Sequence, residues 1–285
     1  MNKLYIMVGL PGSGKSTIAR LLARKYDYIV STDDIRAKLS AAECNNELVF
    51  KIAHENIIRG LARGRNVIFD ATNIAVKHRQ AILQKTKEYK SVAIVVASTI
   101  EDCISRNAAR ERVVSEEIIR RMWKTFEAPS TKEGFEKVRI IKNSDFILKW
   151  EDLEDMEQDN PNHSLTVKQH CEATANYIAD NYPNVSADLL NAATIHDLGK
   201  FYCKEFKNYK GEPTENAHYY GHENIGAYQS YFLLPEVNEN VRDFIQYHMK
   251  LYNLGENKTK NLEQFLGREF FEELKILNDA DRMSK

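Results

Sequence analysis

The sequence contains no run of about 18 apolar residues, the length that a membrane-spanning helix needs. Nor does its apolar start, LYIMVGL at 4–10, lead into a small-residue cleavage site, because a glycine-rich loop follows at once. Neither a membrane span nor a secretory signal is expected, and the location reads as cytoplasmic. Cysteine is scarce: Cys44, Cys103, Cys171 and Cys203 are scattered through 285 residues with no CxxC pair. That spacing argues against a thiolate zinc site or a disulfide framework and leaves reduced bystanders. No RRM or KH signature is present to separate RNA from DNA.

Net charge is −1, but the balance hides two unlike halves. Residues 1–150 carry 27 Lys+Arg against 17 Asp+Glu, and the remainder carries 13 against 24. A basic half suits polyphosphate or nucleic acid, which it attracts without reading bases. Part of the acidic excess is the run EDLEDMEQD at 151–159, whose crowded like charges before Asn160 and Pro161 predict a solvated linker. Two domains of ordinary size are expected, over 1–150 and 160–285.

In the first, KLYIMVG alternates too little for a half-exposed strand and predicts one buried on both faces, followed by a loop and by TIARLLARKY at helical spacing. Gly9, Gly14, Lys15 and Ser16 fit GxxxxGK followed by Ser or Thr. Glycines there let backbone N–H groups surround phosphate oxygens, Lys15 reaches the β and γ phosphates, and Ser16 can ligate Mg2+. Further strands are expected in DYIVS, NVIFDA, SVAIVVAS and KVRIIK, with helical segments between them. The fold class is therefore α/β, a parallel sheet with helices on both faces and ligands at the carboxyl ends of its strands.

Polar groups fall at those ends. Asp33 and Arg36 follow the second strand, where an N-cap with an exposed arginine is the plain alternative. Asp70, Thr72 and Asn73 follow the third, and either face the cleft or make an Asx-type turn. SRNAARERVVSEEIIRRMWK puts Arg106 and Arg110 four apart on one helical face, serving a ligand or a solvated surface.

Taken in order, these residues resemble the kinase module of phage-type polynucleotide 5′-hydroxyl kinases over most of residues 1–145. The family loop GxPGSGKST is matched by Gly9 to Thr17, including Gly12 and Ser13, and its DDxR by Asp33, Asp34, Ile35 and Arg36. Its DxTN-like segment, one residue longer here, is matched by Asp70 to Asn73, and its lid RNxxR with RxMYK by Arg106–Arg110 and Arg120–Lys124. The resemblance implies ATP or another NTP with Mg2+, held by the loop and by Arg106 and Arg110. It implies Asp33 as general base for a 5′-hydroxyl, Arg36 on the phosphate next to the acceptor nucleoside, and Arg110 on the transferring phosphoryl group. Asp70 and Thr72 are left to substrate positioning.

From Leu165 onward the pattern is helical without convincing strand alternation, which predicts an all-α domain. Six of the eight histidines lie in this half: His163, His170, His196, His218, His222 and His248. Singly, each reads as a satisfied core residue. Imidazole together with carboxylate suits a divalent transition metal, with Mn, Fe, Co, Ni and Zn all compatible. Neighbours on a helix point about 100° apart, so His196 and Asp197 need further ligands from other helices. The order H…HD…D supplies His170, the His196–Asp197 pair and Asp281, with Asp279 competing for the last place.

Residues 160–285 resemble the HD phosphohydrolase superfamily, whose all-helical members use metal-activated water on phosphate esters. That resemblance implies Lys200, in HDLGK, as a phosphate-binding lysine and His222 and His248 as ligands of a second metal or of substrate. His163 and His218 fall outside this set. The two resemblances together imply a bifunctional end-healing enzyme for RNA or DNA strands, adding phosphate to 5′-hydroxyls and removing 3′-phosphate or 2′,3′-cyclic phosphate before a separate ligase acts. The alternative is a nucleoside or sugar kinase with a nucleotidase or nucleotide-sensing helical domain.

Overall fold

Five runs rich in Val and Ile form one sheet in the computed structural model, which describes residues 2–25, 27–40 and 45–284. Cys44 lies outside the described residues, and Cys103, Cys171 and Cys203 are free and buried. The strands β1 (Lys3–Val8), β2 (Tyr28–Ser31), β3 (Val67–Asp70), β4 (Lys90–Ala97) and β5 (Lys137–Lys142) are all parallel, in the order β2-β3-β1-β4-β5. At the centre, Leu4, Ile6, Met7 and Val8 are fully buried. A strand covered on both faces has no solvent side to alternate toward.

Helices α1 (Lys15–Leu22), α2 (Thr32–Lys38), α3 (Asn46–Ala62), α4 (Val76–Lys85), α5 (Ile100–Ala108) and α6 (Glu116–Lys124) make the connections. On one face Met7, Ile68, Val92, Ile94 and Val96 close over Ala19 of α1. Because β3 and β4 flank β1 on opposite sides, the loop after β1 opens at the switch point, where α/β sheets bind ligands. The expectation that Arg106 and Arg110 share one helical face is corrected: α5 stops at Ala108, before Arg110, and α6 starts at Glu116. The cause is the Asn107 side chain, which donates to Val114 O (2.7 Å) and accepts from Val114 N (3.2 Å), folding the intervening residues into a loop.

A buried ion pair braces the corner after β3. Arg79 donates through Nε and Nη2 to Glu133 (2.8 and 2.7 Å) and through Nη1 to Asn73 O (2.8 Å), where Asn73 takes φ 47°. Removing one partner of such a pair strands a charge in the core. Glu133→Ala is expected to lower stability by about 3–5 kcal/mol. Urea denaturation reads this directly, and an unchanged midpoint would show the pair to be dispensable.

By internal packing the chain divides into two units, residues 1–122 with 129–145 and residues 123–128 with 146–285. The second contains α7 (Val167–Asn181), α8 (Ala187–Ala193), α9 (Lys200–Cys203), α10 (His222–Gln229), α11 (Glu239–Tyr247), α12 (Glu256–Leu266) and α13 (Arg268–Met283). Thr166 starts α7 with a reciprocal capping box to Gln169, and Ser186 and Asn238 cap α8 and α11. The strand-free expectation is corrected by one hairpin, β6 (Glu205–Lys207) against β7 (Pro213–His218). Asn208 Oδ1 accepts from Lys210 N and Glu212 N, and Gly211 supplies φ 83°, so a tight turn replaces a helical one.

The acidic run 151–159 contributes to this unit. Asp155 accepts from the Thr166 hydroxyl (2.6 Å) and Lys168 N (3.0 Å), and Gln158 is buried. Phe126 packs edge-on against Tyr228 with ring centres 4.8 Å apart. Among the described residues no helix is long and apolar enough to cross a membrane.

Candidate functional site

The loop after β1 is built for close backbone approach. Gly12 (φ 81°) would put a Cβ 2.0 Å from Cys103 O, and Gly14 (φ 93°) one 2.4 Å from Asn143 Nδ2. Asn143 donates to Ser13 O (2.8 Å), as does the Ser98 hydroxyl (3.1 Å), while Gly9 N donates to Thr72 O (3.0 Å). The ends of β3, β4 and β5 thus hold the loop. Lys15 leads α1 with its Nζ curled onto Leu10 O (2.6 Å) and Ser13 Oγ (3.4 Å). Ser16 sits next to it, and Thr17 is exposed. Asp70 is buried within reach of Ser16 and Lys15, and burial raises its carboxyl above the ordinary range against their pull. The geometry suits a polyphosphate, with the Ser16 and Asp70 oxygens on the side where Mg2+ would sit.

Burial pulls the Lys15 ammonium down to about 8, and Asp70 and Asp33 oppose the shift. Below about pH 8 the free protein therefore presents a cation, and bound phosphates would raise the pKa again. Nucleotide affinity is expected to hold up to about pH 8 and then to fall by up to about tenfold per pH unit. Titration calorimetry in the alkaline range tests this, and affinity that stays flat would separate Lys15 from the phosphates.

At the end of β2, Asp33 is half-exposed and ringed by guanidiniums. Its oxygens lie 3.4 Å from Arg36 Nη1, 3.1 Å from Arg110 Nη2 and 3.0 Å from Arg112 Nη1. Arg36 also donates to Asn46 Oδ1 (3.0 Å). Arg106 donates to the Ser98 hydroxyl (3.1 Å), which places it next to the phosphate loop and apart from the Asp33 group. Arg112 and Asn143 gave no signal in the sequence. Arg112 reaches Asp33 because the chain has left α5, so residues two apart can face the same way.

Six side chains from five parts of the second unit converge on a second site. His170 comes from α7, His196 and Asp197 from the turn after α8, His222 from the start of α10, His248 from the end of α11, and Asp281 from α13. Gly199 permits the convergence, since a Cβ there would lie 1.9 Å from His222 O. Asp197 stands between two ligand groups. Its Oδ2 is 3.5 Å from His170 Nε2 and 3.6 Å from His196 Nε2, and its Oδ1 is 3.4 Å from His222 Nε2 and 3.8 Å from His248 Nε2. Asp281 Oδ1 lies 3.0 Å from His170 Nε2, whereas Asp279 is exposed.

All four imidazoles turn Nδ1 to a backbone carbonyl: His170 to Ser284 (3.1 Å), His196 to Ala193 (2.9 Å), His222 to Tyr219 (2.9 Å) and His248 to Ile245 (2.7 Å). A carbonyl only accepts, so Nδ1 carries the proton and Nε2 is turned inward; at His170, although burial opposes it, the Asp281 carboxylate on Nε2 and the Asp197 charge raise the pKa. His222 Nε2 and His248 Nε2 then face each other at 3.1 Å with no proton between them. His196 Nε2 is buried with no hydrogen-bond partner among the described residues, and burial pushes this imidazole down to about 4, which keeps it neutral.

Converging lone pairs and carboxylates repel unless a cation compensates. Metal–ligand bonds of about 2.0–2.2 Å set neighbouring donor atoms roughly 3.0–3.5 Å apart, and the Asp197 and His170 separations here run from 3.0 to 3.8 Å. The donors fit one divalent cation on His170, His196, Asp197 and Asp281 and a second on Asp197, His222 and His248. Cys171 adjoins His196 and Asp197, and burial and the Asp197 charge push its thiol far up.

Lys200 Nζ lies 2.7 Å from Asp197 Oδ2 and donates to Gln158 Oε1 (2.7 Å), with the Tyr219 ring 5.4 Å below it. Tyr252 donates its hydroxyl to Asp281 Oδ2 (2.5 Å). Gln158, Tyr219 and Tyr252 escaped the sequence reading, Gln158 because it lies in a run read as solvated. His163 packs edge-on to His170 (5.4 Å), and His218 stacks on Tyr220.

A family model described as an AAA domain matches residues 4–129, and one described as an HD domain matches residues 162–285. The chain is 25% identical over 176 residues to the L-seryl-tRNA(Sec) kinase of Methanococcus maripaludis, with 58% of this chain and 69% of the relative covered. It is 32% identical over 131 residues to the adenylate kinase of Helicobacter hepaticus, covering 40% of this chain and 68% of the relative. It is also 27% identical to a chain of the Pnkp1/Rnl/Hen1 RNA repair complex, covering 42% of each chain with a TM-score of 0.39, and so spans less than half of that chain.

Proposed function

Because this chain belongs to the P-loop kinases through its first domain and to the HD family through its second, we propose that it heals broken nucleic-acid ends. The first unit phosphorylates 5′-hydroxyls at the expense of an NTP, and the second removes 3′-phosphate or 2′,3′-cyclic phosphate. A phosphotransfer site and a hydrolase site suit the two defects of a strand break, one end lacking phosphate and the other carrying it where a ligase cannot use it. A separate ligase would then seal the strand.

The observation that carries the kinase half is Asp33, a carboxylate beside three arginines at the carboxyl edge of the sheet that also bears the phosphate loop. Asp33 takes the proton of the acceptor hydroxyl as that oxygen attacks the γ-phosphorus. Arg36 holds the phosphate on the acceptor side. Arg110, with a planar fork able to bridge two oxygens, and Arg106 hold the donor phosphates together with Lys15. Asp70 and Thr72, at the end of β3, serve substrate positioning.

In the second unit a divalent cation supplies Lewis acidity and an activated water once bound. The chain's own groups do the rest. His170, His196, Asp197, His222, His248 and Asp281 supply neutral nitrogens and carboxylates from opposed helices. Lys200, held by Gln158 and Tyr219, meets a phosphoryl oxygen.

The adenylate-kinase relative favours a second reading, with a free nucleotide or another small molecule as acceptor. Phosphate transfer from γ-labelled ATP to a 5′-hydroxyl oligonucleotide, a nucleoside, AMP and a sugar separates the two. End healing predicts label in the oligonucleotide, and label confined to small acceptors would reject it.

A further inference from the structure

The hairpin interrupting the helical unit is unlike the rest of its surface. Tyr209 at its turn is 78% exposed, Phe206 46% and Tyr220 37%, although a turn needs no aromatic residue. His218 and Tyr220, two apart, share one side of the chain and stack with ring centres 5.2 Å apart and planes 7° from parallel. Glu205 pairs across with His218 and, past a break in register, Lys207 pairs with Pro213 nearer the turn. Lys210 Nζ sits 5.7 Å over the Tyr209 ring. Among the acidic groups, Glu205 is met by Lys124 (3.1 Å), Glu212 accepts from Asn208 (2.7 Å) and Glu215 is exposed on β7, while Lys207 and Lys210 are exposed.

The hairpin also runs into the metal site. Tyr219 follows His218 directly, lies under Lys200 and donates to Gln158 O (2.7 Å), and Gly221 leads into His222. Flat, exposed rings with ammonium groups beside them match the alternation of base and phosphate in a flexible strand. Duplex, whose bases are already stacked, offers such rings no faces.

We propose that the hairpin, through the stacked His218 and Tyr220 and through Lys207, Tyr209 and Lys210 toward its turn, binds the single-stranded nucleic-acid segment whose 3′ end enters the metal site. Bases continue the His218–Tyr220 stack and phosphates meet the two lysines. This rests on the reading that the second unit acts on nucleic-acid 3′ ends, and it names the form of that substrate. With only two lysines engaged, stacking dominates, and the salt dependence should correspond to about two phosphates.

The test uses the full chain and a 3′-phosphorylated decauridylate carrying 5-iodouridine near its 3′ end. Irradiation followed by peptide mass spectrometry should place crosslinks on Tyr209 or Tyr220. The combined variant Tyr209→Ala, Lys210→Ala, Tyr220→Ala should raise KM for 3′-phosphate release from this oligonucleotide about tenfold or more. Its kcat/KM for p-nitrophenyl phosphate should stay within about twofold, which also shows that the unit is folded, and Tyr220→Trp should retain the low KM. Crosslinks confined to residues outside 204–220, or an unchanged oligonucleotide KM in the variant, overturn the inference while leaving end healing intact. A wild-type chain that cleaves p-nitrophenyl phosphate but neither crosslinks to nor dephosphorylates the oligonucleotide rejects both.

Discussion

Asp197→Ala is expected to reduce metal-dependent phosphoester hydrolysis by more than about a hundredfold and to strip the second unit of its metal. The reason is its position. One oxygen faces His170 and His196, the other faces His222 and His248, and Lys200 leans on the first. Losing it removes the one carboxylate that, among the described residues, is common to both ligand groups, and leaves the buried Lys200 ammonium without its counter-charge. Elemental analysis of the purified chain after metal loading and dialysis should read up to two equivalents for the wild type and far fewer for the variant. Phosphate transfer by the first unit should be unaffected. Full metal content in the variant would mean that the histidines bind without a bridge, and the two-cation reading would fail.

The second large effect is on the other chemistry. Asp33→Ala should lower the rate of phosphate transfer to a 5′-hydroxyl by about a hundred- to ten-thousandfold, the range of general-base contributions. Nucleotide affinity should change little, because Lys15 and the phosphate loop do not depend on Asp33 for their position. Single-turnover transfer at saturating ATP separates the rate from the affinity. A variant with unaltered transfer would assign the base elsewhere.

Much of this was legible because period and spacing carry it. The sheet strands announce themselves as short apolar runs between helical segments, and GLPGSGKST fixes the loop that follows the first. The six imidazole and carboxylate groups that the HD resemblance implied for the metal site come together, although no single helix carries more than one or two of them. Helical phase also decides between Asp279 and Asp281: two residues on a helix turn about 200°, so only one of them can face His170.

What stayed hidden depends on departures from regular structure. Asn107 ends α5 by pairing both its amide groups with Val114, and that break brings Arg112 to Asp33. A single Asn inside a helical pattern gives no warning of this. The hairpin after Cys203 follows from Asn208 and Gly211, two turn residues within a charged stretch whose alternation is only three residues long on β6. Gln158 was invisible because its neighbours are acidic and exposed, while its own side chain turns inward to Lys200.

The central claim is that two phosphoryl chemistries occupy separate sites on one chain and serve the two ends of one strand. Fragment-ion mass spectrometry, which reads each end separately, of an oligonucleotide with a 5′-hydroxyl and a 3′-phosphate, incubated with ATP, Mg2+ and a transition metal, tests it most directly when run on the wild type, Asp33→Ala and Asp197→Ala. The account predicts one phosphate gained and one lost with the wild type, only the loss with Asp33→Ala, and only the gain with Asp197→Ala. An oligonucleotide unchanged at both ends by the wild type, or either single substitution stopping both reactions, would contradict it.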